Sequence, residues 1–429
     1  MNSALQLRRS LNLLCAAVLL LLCGAVQSQA QWTNVGIPGF NSPVYYASST
    51  ADGRLHVLGW NGATSWLAYS PDRGESWDVR TIDNTFMFGV EQLDNGLLLV
   101  CGHTLLESAG YLMIGTGLDD LEGEVFNSAG TGSFGFYRVE FLNDDFGYLC
   151  GYDGAILNTT DGGGSWSRGE TNSETTIFRN ITIGSEQVAL AAGGASFFQM
   201  TELWRTTDGG ENWSILHDYG TANSITEIQM LNENTALMTG SEDGVQYIRV
   251  SQDAGQTWTQ VFEDTDNANP VFFDLEIAPN GIGIAAGDAG EVAVTNDFGM
   301  TWQKLQRQTA VSLGGCAVDN NYSVYMFGSG GVGWRFDASV TGVEESPLQP
   351  GATSIVPNPL TENGRLQTSL KVEEPVVIRI YDMRGTLLRE LTGQPREFAF
   401  NRDQFTPGMY VFNMLRDGRM IDSGTFTVR

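Results

Sequence analysis

Short runs of alternating hydrophobic and polar residues follow one another along most of the chain. The segments 139–151 (VEFLNDDFGYLCG) and 228–240 (IQMLNENTALMTG) each hold two such runs around a polar turn. Alternation with a period of two is typical of β-strands, whose successive side chains point to opposite faces of a sheet. The pattern therefore predicts a series of β-hairpins.

These hairpins recur at regular intervals. In each, a core residue is followed twelve positions later by a glycine, and the seven pairs are Ala47/Gly59, Val90/Gly102, Val139/Gly151, Ile181/Gly193, Ile228/Gly240, Leu275/Gly287 and Cys316/Gly328. A third strand follows each glycine, and in most units a fourth begins after a polar turn. Repetition with a period of roughly 45 residues and four strands per unit is typical of propellers. We therefore predict an all-β chain whose main part is a seven-bladed β-propeller.

The polar turn before the fourth strand carries the pattern Ser/Thr-x-Asp-x-Gly-x-x-Trp five times. Five copies cannot each be a separate active site, so we interpret them as structural turns, in which the hydroxyl and carboxylate bind turn amides. The last four tryptophans are 47, 45 and 44 residues apart, whereas the first two are 89 apart, which predicts one decayed copy between them. The residues assigned to these turns are Asp72, Trp77, Asp161, Trp166, Asp208, Trp213, Asp253, Trp258, Asp297 and Trp302.

This pattern resembles the Asp box, or BNR repeat, of sialidases and related propellers. In that family the boxes lie on the face opposite the active site. The resemblance implies that a ligand of this chain binds at the other end of the propeller, where the loops after the second and fourth strands of each blade lie.

The seventh unit ends without a box or a fourth strand. Residues 31–35 (QWTNV) resemble a fourth strand, and Trp32 lies 45 residues before Trp77, which is one period. We expect residues 31–37 to pair with residues 333–338 and to close the ring, because closure removes sheet edges that would otherwise be exposed. The predicted propeller spans residues 31–341.

Residues 1–30 have the features of a secretory signal peptide. Arg8 and Arg9 precede a largely apolar run of 16 residues, 11–26, and small residues follow at 28–30. The run is short for a membrane-spanning helix, which needs about 20 apolar residues. We therefore expect export through the inner membrane, with no transmembrane segment in the mature chain.

The charge of the chain bears on its partners. The sequence has 23 Lys and Arg against 50 Asp and Glu, a net charge of −27 at pH 7, and loss of residues 1–30 with their two arginines would make it −29. Such an acidic surface repels phosphate backbones, which argues against nucleic acid as a partner. Cys101, Cys150 and Cys316 remain after residue 30 and allow one disulfide at most, so their pairing is left open. Cys101 and Cys150 end apolar runs, and we expect both in the core.

The C-terminal part has neither boxes nor the repeat. Residues 342–354 are interrupted by prolines and predict a linker, and residues 355–429 alternate as in a small β-sandwich. This tail resembles the C-terminal sorting domain of the type IX secretion system. The resemblance rests on the motifs VPNP (356–359), VVIRIYDMRG (376–385) and PGMY (407–410) and on a final strand, GTFTVR. Its ending at 427–429 departs from the family pattern.

The resemblance of the tail implies that the type IX secretion machinery is a partner and that the protein is secreted or attached to the outer cell surface. The alternative is an adhesive β-domain without a role in export.

Candidate binding residues are aromatic, acidic and basic side chains predicted at the end opposite the boxes. They are Tyr46, Trp60, His103, Tyr152, Asp153, Arg138, Arg179, Asp243, Asp274 and Asp288. Tyr45, Phe88, Tyr137, Glu227 and Phe273 fall at similar positions at the starts of the inner strands. Aromatic rings with acids suit a sugar or a protein partner. The alternative is that the rings pack between blades and that the acids are merely solvated.

Catalytic and metal sites find less support. A sialidase needs three convergent arginines, and only Arg138 and Arg179 are suitably placed. A glycoside hydrolase with two carboxylates could draw on Asp153, Asp243, Asp274 or Asp288, and remains the alternative function. The three histidines show no metal-ligand spacing, and no phosphate-binding loop is present, so no metal or cofactor is predicted.

The repeats, especially residues 141–166 (FLNDDFGYLCGYDGAILNTTDGGGSW), also resemble propellers related to photosystem II assembly factors. Those propellers are non-enzymatic and bind a protein through a basic patch. Because this chain is acidic, we carry over only the fold and the binding character. The predicted function is an exported, non-enzymatic propeller that binds a protein or a glycan.

Overall fold

A computed structural model describes most of the chain. In its N-terminal part it describes residues 32–105, 109–126, 135–196, 200–221, 223–264, 271–321 and 323–337. In its C-terminal part it describes residues 353–356, 360–361, 363–368, 375–382, 387–394, 398–406, 408–416 and 419–428. The predicted signal peptide and most of the predicted linker lie outside these ranges. In none of these ranges is there a helix long and apolar enough to cross a membrane.

Twenty-eight strands form seven antiparallel sheets of four strands each. The strands of the first three blades and the strand that precedes them are β1 (Trp32–Asn34), β2 (Val44–Ser49), β3 (Leu55–Trp60), β4 (Thr64–Ser70), β5 (Asp78–Asp83), β6 (Thr85–Gln92), β7 (Leu98–Thr104), β8 (Gly110–Gly115), β9 (Glu122–Phe126), β10 (Phe136–Phe141), β11 (Gly147–Gly151), β12 (Ile156–Thr159) and β13 (Ser167–Arg168). The strands of the last four blades are β14 (Ile177–Ile183), β15 (Ala189–Gly194), β16 (Glu202–Thr206), β17 (Ser214–Asp218), β18 (Asn223–Met230), β19 (Ala236–Glu242), β20 (Val245–Ser251), β21 (Thr259–Asp264), β22 (Phe272–Ile277), β23 (Gly283–Gly287), β24 (Val292–Thr295), β25 (Gln303–Lys304), β26 (Leu313–Val318), β27 (Ser323–Gly328) and β28 (Val332–Asp337).

The seven sheets form a closed ring. The inner strand of each blade contacts the inner strand of the next, and β2 of the first blade contacts β26 of the last. Hydrophobic side chains of neighbouring blades are buried together between the sheets, as where Tyr148 of the third blade packs with Phe178 and Trp213. The predicted seven-bladed propeller is confirmed. Cys101, Cys150 and Cys316 are free thiols that are fully buried in these layers.

The N-terminal strand completes the last blade. Trp32 of β1 lies opposite Phe336 of β28, and Asn34 lies opposite Trp334. The amide of Val35 then donates to the carbonyl of Gly333 at 2.9 Å. The closure that the missing fourth strand predicted is therefore present.

Each Asp box is a closed hydrogen-bond network in the turn between the third and fourth strands. In the third blade, Asp161 Oδ1 accepts bonds from Thr159 Oγ1 and the Ser165 amide, both at 2.8 Å. Thr159 Oγ1 in turn accepts the Gly163 amide at 2.9 Å. Bonds from the side chain and amide of Ser165 hold the pKa of Asp161 below its usual range. The same network recurs at Asp72, Asp208, Asp253 and Asp297.

The second blade carries the decayed copy. Its turn is held by Asp120, whose Oδ1 accepts the amides of Thr116 at 2.9 Å and Gly117 at 2.8 Å. Leu121, which is 2% exposed, directly precedes the fourth strand, β9, as Trp77 directly precedes β5. Leucine thus replaces tryptophan as the buried residue of this turn.

The first box also joins the two blades at the closure. Arg73 Nε donates to Asp319 Oδ2 at 3.0 Å and to Tyr325 Oη at 3.2 Å, both in the last blade. The Asp319 side chain is fully buried. In the opposite direction, Arg335 Nη1 of the last blade donates a hydrogen bond to the carbonyl of Arg73 at 3.2 Å. A single arginine therefore compensates a buried carboxylate across the seam of the ring.

The substitution Arg73→Met tests this seam. Loss of the guanidinium leaves Asp319 without its cation, and hydrogen bonds to a charged group are worth about 1.5–3 kcal/mol, so we expect a drop of about 2 kcal/mol in the free energy of unfolding. Urea denaturation measures the change. The control is Arg54→Met, which breaks the exposed pair with Asp52 and should cost at most about 1 kcal/mol. Equal effects of both substitutions would contradict a special role for Arg73.

The C-terminal part forms two further antiparallel sheets. The first holds β29 (Thr353–Val356), β30 (Gly364–Thr368) and β33 (Ala399–Phe400), and the second holds β31 (Val376–Asp382), β32 (Leu387–Gly393), β34 (Gly408–Arg416) and β35 (Arg419–Val428). Ile355 and Phe400 from the first sheet share one buried cluster with Ile378, Phe412 and Phe426 from the second. Two sheets around one core make the small β-sandwich that the alternation of residues predicted.

Candidate functional site

A β-bulge occurs at the same place in the inner hairpin of every blade. The register between the first and second strands skips one residue per blade, and these residues are Tyr45, Phe88, Tyr137, Arg179, Thr226, Phe273 and Gly314. We call these seven residues the rim. They lie at the starts of the inner strands, at the end opposite the Asp boxes. A bulge changes the direction of the side chain that it carries. The bulge, repeated in every blade, therefore places one ring of side chains around the channel mouth.

Aromatic residues of the first three blades form a continuous row at this end. Phe86 stacks on Trp60 with 4.1 Å between ring centroids, and on Phe88 with 4.0 Å. Phe88 contacts Tyr137 at 4.5 Å, and Tyr137 contacts Tyr152 at 5.1 Å. With Tyr45 and His103, which also contact Phe86, the row has seven members: Tyr45, Trp60, Phe86, Phe88, His103, Tyr137 and Tyr152. We call this row the aromatic arc.

The arc unites several predicted site residues around one that sequence reasoning missed. Trp60, His103 and Tyr152 come from three different blades and meet through the rings between them. Phe86 was not predicted, although it contacts more members of the arc than any of these three. The signal for it was the alternation in β6 (TFMFGVEQ), which puts Phe86 two positions before Phe88 and directly opposite His103.

Polar atoms of the arc are buried without hydrogen bonds to described residues. These atoms are Trp60 Nε1 and His103 Nδ1. Burial lowers the pKa of His103, so its imidazole is neutral at pH 7. Tyr45, at one end of the arc, is 41% exposed.

Three other predicted residues, Tyr46, Arg138 and Asp274, lie inside the central channel. Arg138 Nη2 donates to Glu227 Oε1 at 3.1 Å, and its guanidinium lies 4.3 Å from the centroid of the Tyr46 ring. Asp274 Oδ2 accepts the Cys316 amide at 2.8 Å. Glu227 and Asp274 are only 6% and 5% exposed. These residues hold the blades together around the axis rather than facing an open surface.

The channel holds an excess of acid. Five carboxyl groups of the described inner strands surround Arg138, and they are Glu91, Glu140, Glu227, Asp274 and Glu276. Burial raises the pKa of each, to about 8 for Glu91 and for Glu227, because desolvation disfavours the charged form. Glu91, Glu140 and Glu276 line a cavity of about 180 Å³ on the side nearer the boxes.

Arg179 is the rim residue of the fourth blade. Burial lowers the pKa of Arg179, and the neighbouring Tyr137, Glu227 and Tyr152 offset part of this lowering. Among the described inner strands, Arg138 and Arg179 are the only arginines. The three-arginine clamp of a sialidase is therefore not assembled in the described part of these strands.

The predicted surface acids occupy separate turns. Asp153 and Asp243 have φ values of 55° and 51° and precede glycines in the β11–β12 and β19–β20 hairpins. Asp-Gly is typical of tight hairpin turns that need positive φ. Asp288 accepts the Ser312 hydroxyl at 2.5 Å and the Ala289 amide at 2.9 Å. The three carboxylates belong to three different blades, and none of them lies on β22, the strand that carries Asp274. Within the described ranges, no group of three or more His, Cys, Asp or Glu side chains could hold a metal ion.

One protein family matches part of the propeller. The family described as "Photosynthesis system II assembly factor YCF48" matches residues 131–341, just under half of the chain. No curated protein matches.

Two solved structures of that kind have the same fold. The structure "YCF48 bound to D1 peptide" is 17% identical, with a TM-score of 0.55 over 71% of this chain and 96% of its own. YCF48 from Cyanidioschyzon merolae is 16% identical, with a TM-score of 0.56 over 72% of this chain and 99% of its own.

An enzyme shares the fold as well. The GH74 xyloglucanase from Xanthomonas campestris is 12% identical, with a TM-score of 0.56 over 78% of this chain and 59% of its own. At these identities the likenesses establish the propeller fold alone.

The buried channel acids predict how stability depends on pH. An acid whose folded-state pKa is raised contributes stability at low pH, and this is lost as the pH rises from its unfolded value, near 4.5, to its folded value, about 8 for Glu91. We expect Glu91→Gln to gain stability relative to the parent protein between pH 5 and pH 9. Thermal unfolding at several pH values measures the difference. A constant difference across this range would show that Glu91 is not held protonated by burial.

Proposed function

We propose that this protein is an exported, non-enzymatic propeller that binds a protein or a glycan at the cell surface or outside the cell. The observation that carries the proposal is the aromatic arc. It runs across three blades at the end free of Asp boxes, and its first ring, Tyr45, is 41% exposed. Aromatic side chains supply large contact areas in binding surfaces, at a small cost in conformational entropy.

The comparisons support a protein ligand. The family match lies in the propeller, and a solved propeller of similar fold is described as bound to a D1 peptide. That ligand belongs to the other protein. What we carry over is the use of a propeller face to hold a polypeptide.

A glycoside hydrolase finds less support from the geometry. Such an enzyme needs two carboxyl groups on either side of a reachable sugar. Glu227 and Asp274 interact in the channel, but both are buried and bonded to protein groups. Asp153, Asp243 and Asp288 sit in turns of different blades.

Export and sorting complete the proposal. The support is the sequence: a signal peptide at residues 1–30 and a tail at 355–429 that resembles type IX sorting domains. The tail also has a core of its own, which suits a module that acts independently of the propeller.

The substitution Phe86→Ala tests the arc. Phe86 stacks on two rings, so its truncation removes the ring that joins Trp60 to Phe88. We expect binding to weaken at least tenfold, because truncation of an aromatic residue at the centre of a binding surface can cost about 2 kcal/mol or more of binding free energy. Binding is measured on glycan arrays and on immobilised surface proteins of the producing bacterium. Ile215→Ala, at an exposed position of β17, is the control and should bind normally.

Two results would count against this assignment. Normal binding by a folded Phe86→Ala protein would place the ligand elsewhere. Turnover of aryl-glycosides that is abolished by Asp243→Asn or Asp288→Asn would favour the hydrolase instead.

Deletion of residues 355–429 tests the tail. The propeller should stay folded and still reach the periplasm, because the signal peptide directs that step. It should then accumulate there in a host with the type IX system, as fractionation and immunoblotting would show. A graft of residues 342–429 onto a signal-bearing fluorescent protein should carry that protein to the surface or medium. Efficient secretion of the truncated chain would rule out a sorting role.

A further inference from the structure

We propose that the partner at the aromatic arc is a cationic polypeptide segment, whose lysine or arginine side chains pack on exposed rings and pair with acids beside them. The inference rests on the proposed function and adds the chemistry of the ligand. It draws on three features of this end of the propeller: its charge, the groove at one end of the arc, and the exposed rings of the rim.

Carboxylates dominate the described loops around the arc. Exposed or half-exposed acids at this end are Asp83, Asp153, Glu174, Glu202, Asp218, Glu242 and Asp243. Lys304 and Arg307 both pair with the buried Glu291, and Arg249 pairs with Glu242. Together with a net charge of −27, this gives the end a strongly negative potential. Such a potential steers and favours a positively charged partner.

An acidic groove in the third blade includes the residue that follows the last ring of the arc. Asp153 follows Tyr152, the last ring of the arc, and lines a groove with Arg168, Glu170 and Glu174. Arg168 Nη2 donates to the carbonyl of Asp153 at 2.7 Å rather than to its carboxylate. None of the three acids makes an ion pair with a described residue. One arginine against three carboxylates leaves the groove suited to a further cation.

The rim offers rings of the kind that hold cations. Tyr45 and Phe273 are each 41% exposed, and Gly314, the rim residue between them, has no side chain to fill the gap. A lysine or arginine over an aromatic face gains about 0.5–2 kcal/mol. The propeller already uses this contact internally, where Arg138 lies over Tyr46 and Arg249 lies 3.9 Å from the centroid of Tyr247.

A polypeptide fits these features better than a neutral glycan does. Its basic side chains can use both the rings and the acids. A neutral glycan would leave the acids unused, and its stacking needs open ring faces. The faces of Phe86 are covered by Trp60 and Phe88.

The test uses the purified full-length protein and two fluorescent 14-residue peptides, one alternating Lys and Leu and one alternating Glu and Leu. Fluorescence anisotropy at 25 mM NaCl should show at least tenfold tighter binding of the lysine peptide. Raising NaCl to 250 mM should weaken that binding about tenfold, because salt screens exposed charges.

Two sets of variants then locate the binding. The triple variant Asp153→Asn, Glu170→Gln, Glu174→Gln should bind the lysine peptide at least fivefold more weakly. Asparagine tolerates the positive φ of residue 153, so the turn should persist. The control, Asp78→Asn, Asp119→Asn, Glu122→Gln, makes the same change of charge at the blade edges and should bind as the parent protein does.

The outcomes separate this inference from the proposed function. Equal binding of both peptides, absence of lysine-peptide binding, or equal effects of the two triple variants would overturn the cationic ligand. If Phe86→Ala still abolished binding to a glycan or surface protein in those cases, the arc would remain a binding site of a different specificity.

Discussion

The pairing of β1 with β28 is the contact on which the rest of the propeller depends. Strands at opposite ends of the propeller sequence meet there, and only this closure gives every blade two neighbours with which to bury its hydrophobic faces. An open ring would expose the edge of the last blade and the layer between its first and last sheets. Arg73 adds a polar contact across the same seam by compensating the buried Asp319.

Closure also creates the candidate site. Each blade contributes one bulged residue to the rim, and the same bulge repeated seven times sets those residues around one channel mouth. What differs between blades is the side chain carried there. The first three blades carry aromatic residues and form the arc, the fourth carries Arg179, and the seventh carries Gly314. The scaffold repeats, whereas the side chains that it presents at the rim differ from blade to blade.

The channel beneath the rim is lined by ionisable side chains rather than by aromatic rings. Five carboxyl groups of the described inner strands share it with Arg138, and burial raises the pKa of each, to about 8 for Glu91 and Glu227. Glu227 is the centre of this network, since it receives bonds from both Arg138 and Asn180. Buried polar networks of this kind are costly unless their groups are satisfied, and they fix the relative positions of the strands that carry them.

Local chemistry was readable from the sequence alone. Strand alternation, box turns, blade number, a decayed box between Trp77 and Trp166 and closure by Trp32 all depend on residues close together or on a fixed period. Which side chains meet depends on contacts between blades that no local pattern encodes. The sequence thus indicated Trp60, His103 and Tyr152 but missed Phe86, which joins them, and grouped Asp274 with Asp153 although one is buried in the channel and the other lies in a surface turn. Only the closed ring, through burial and inter-blade packing, decided those positions.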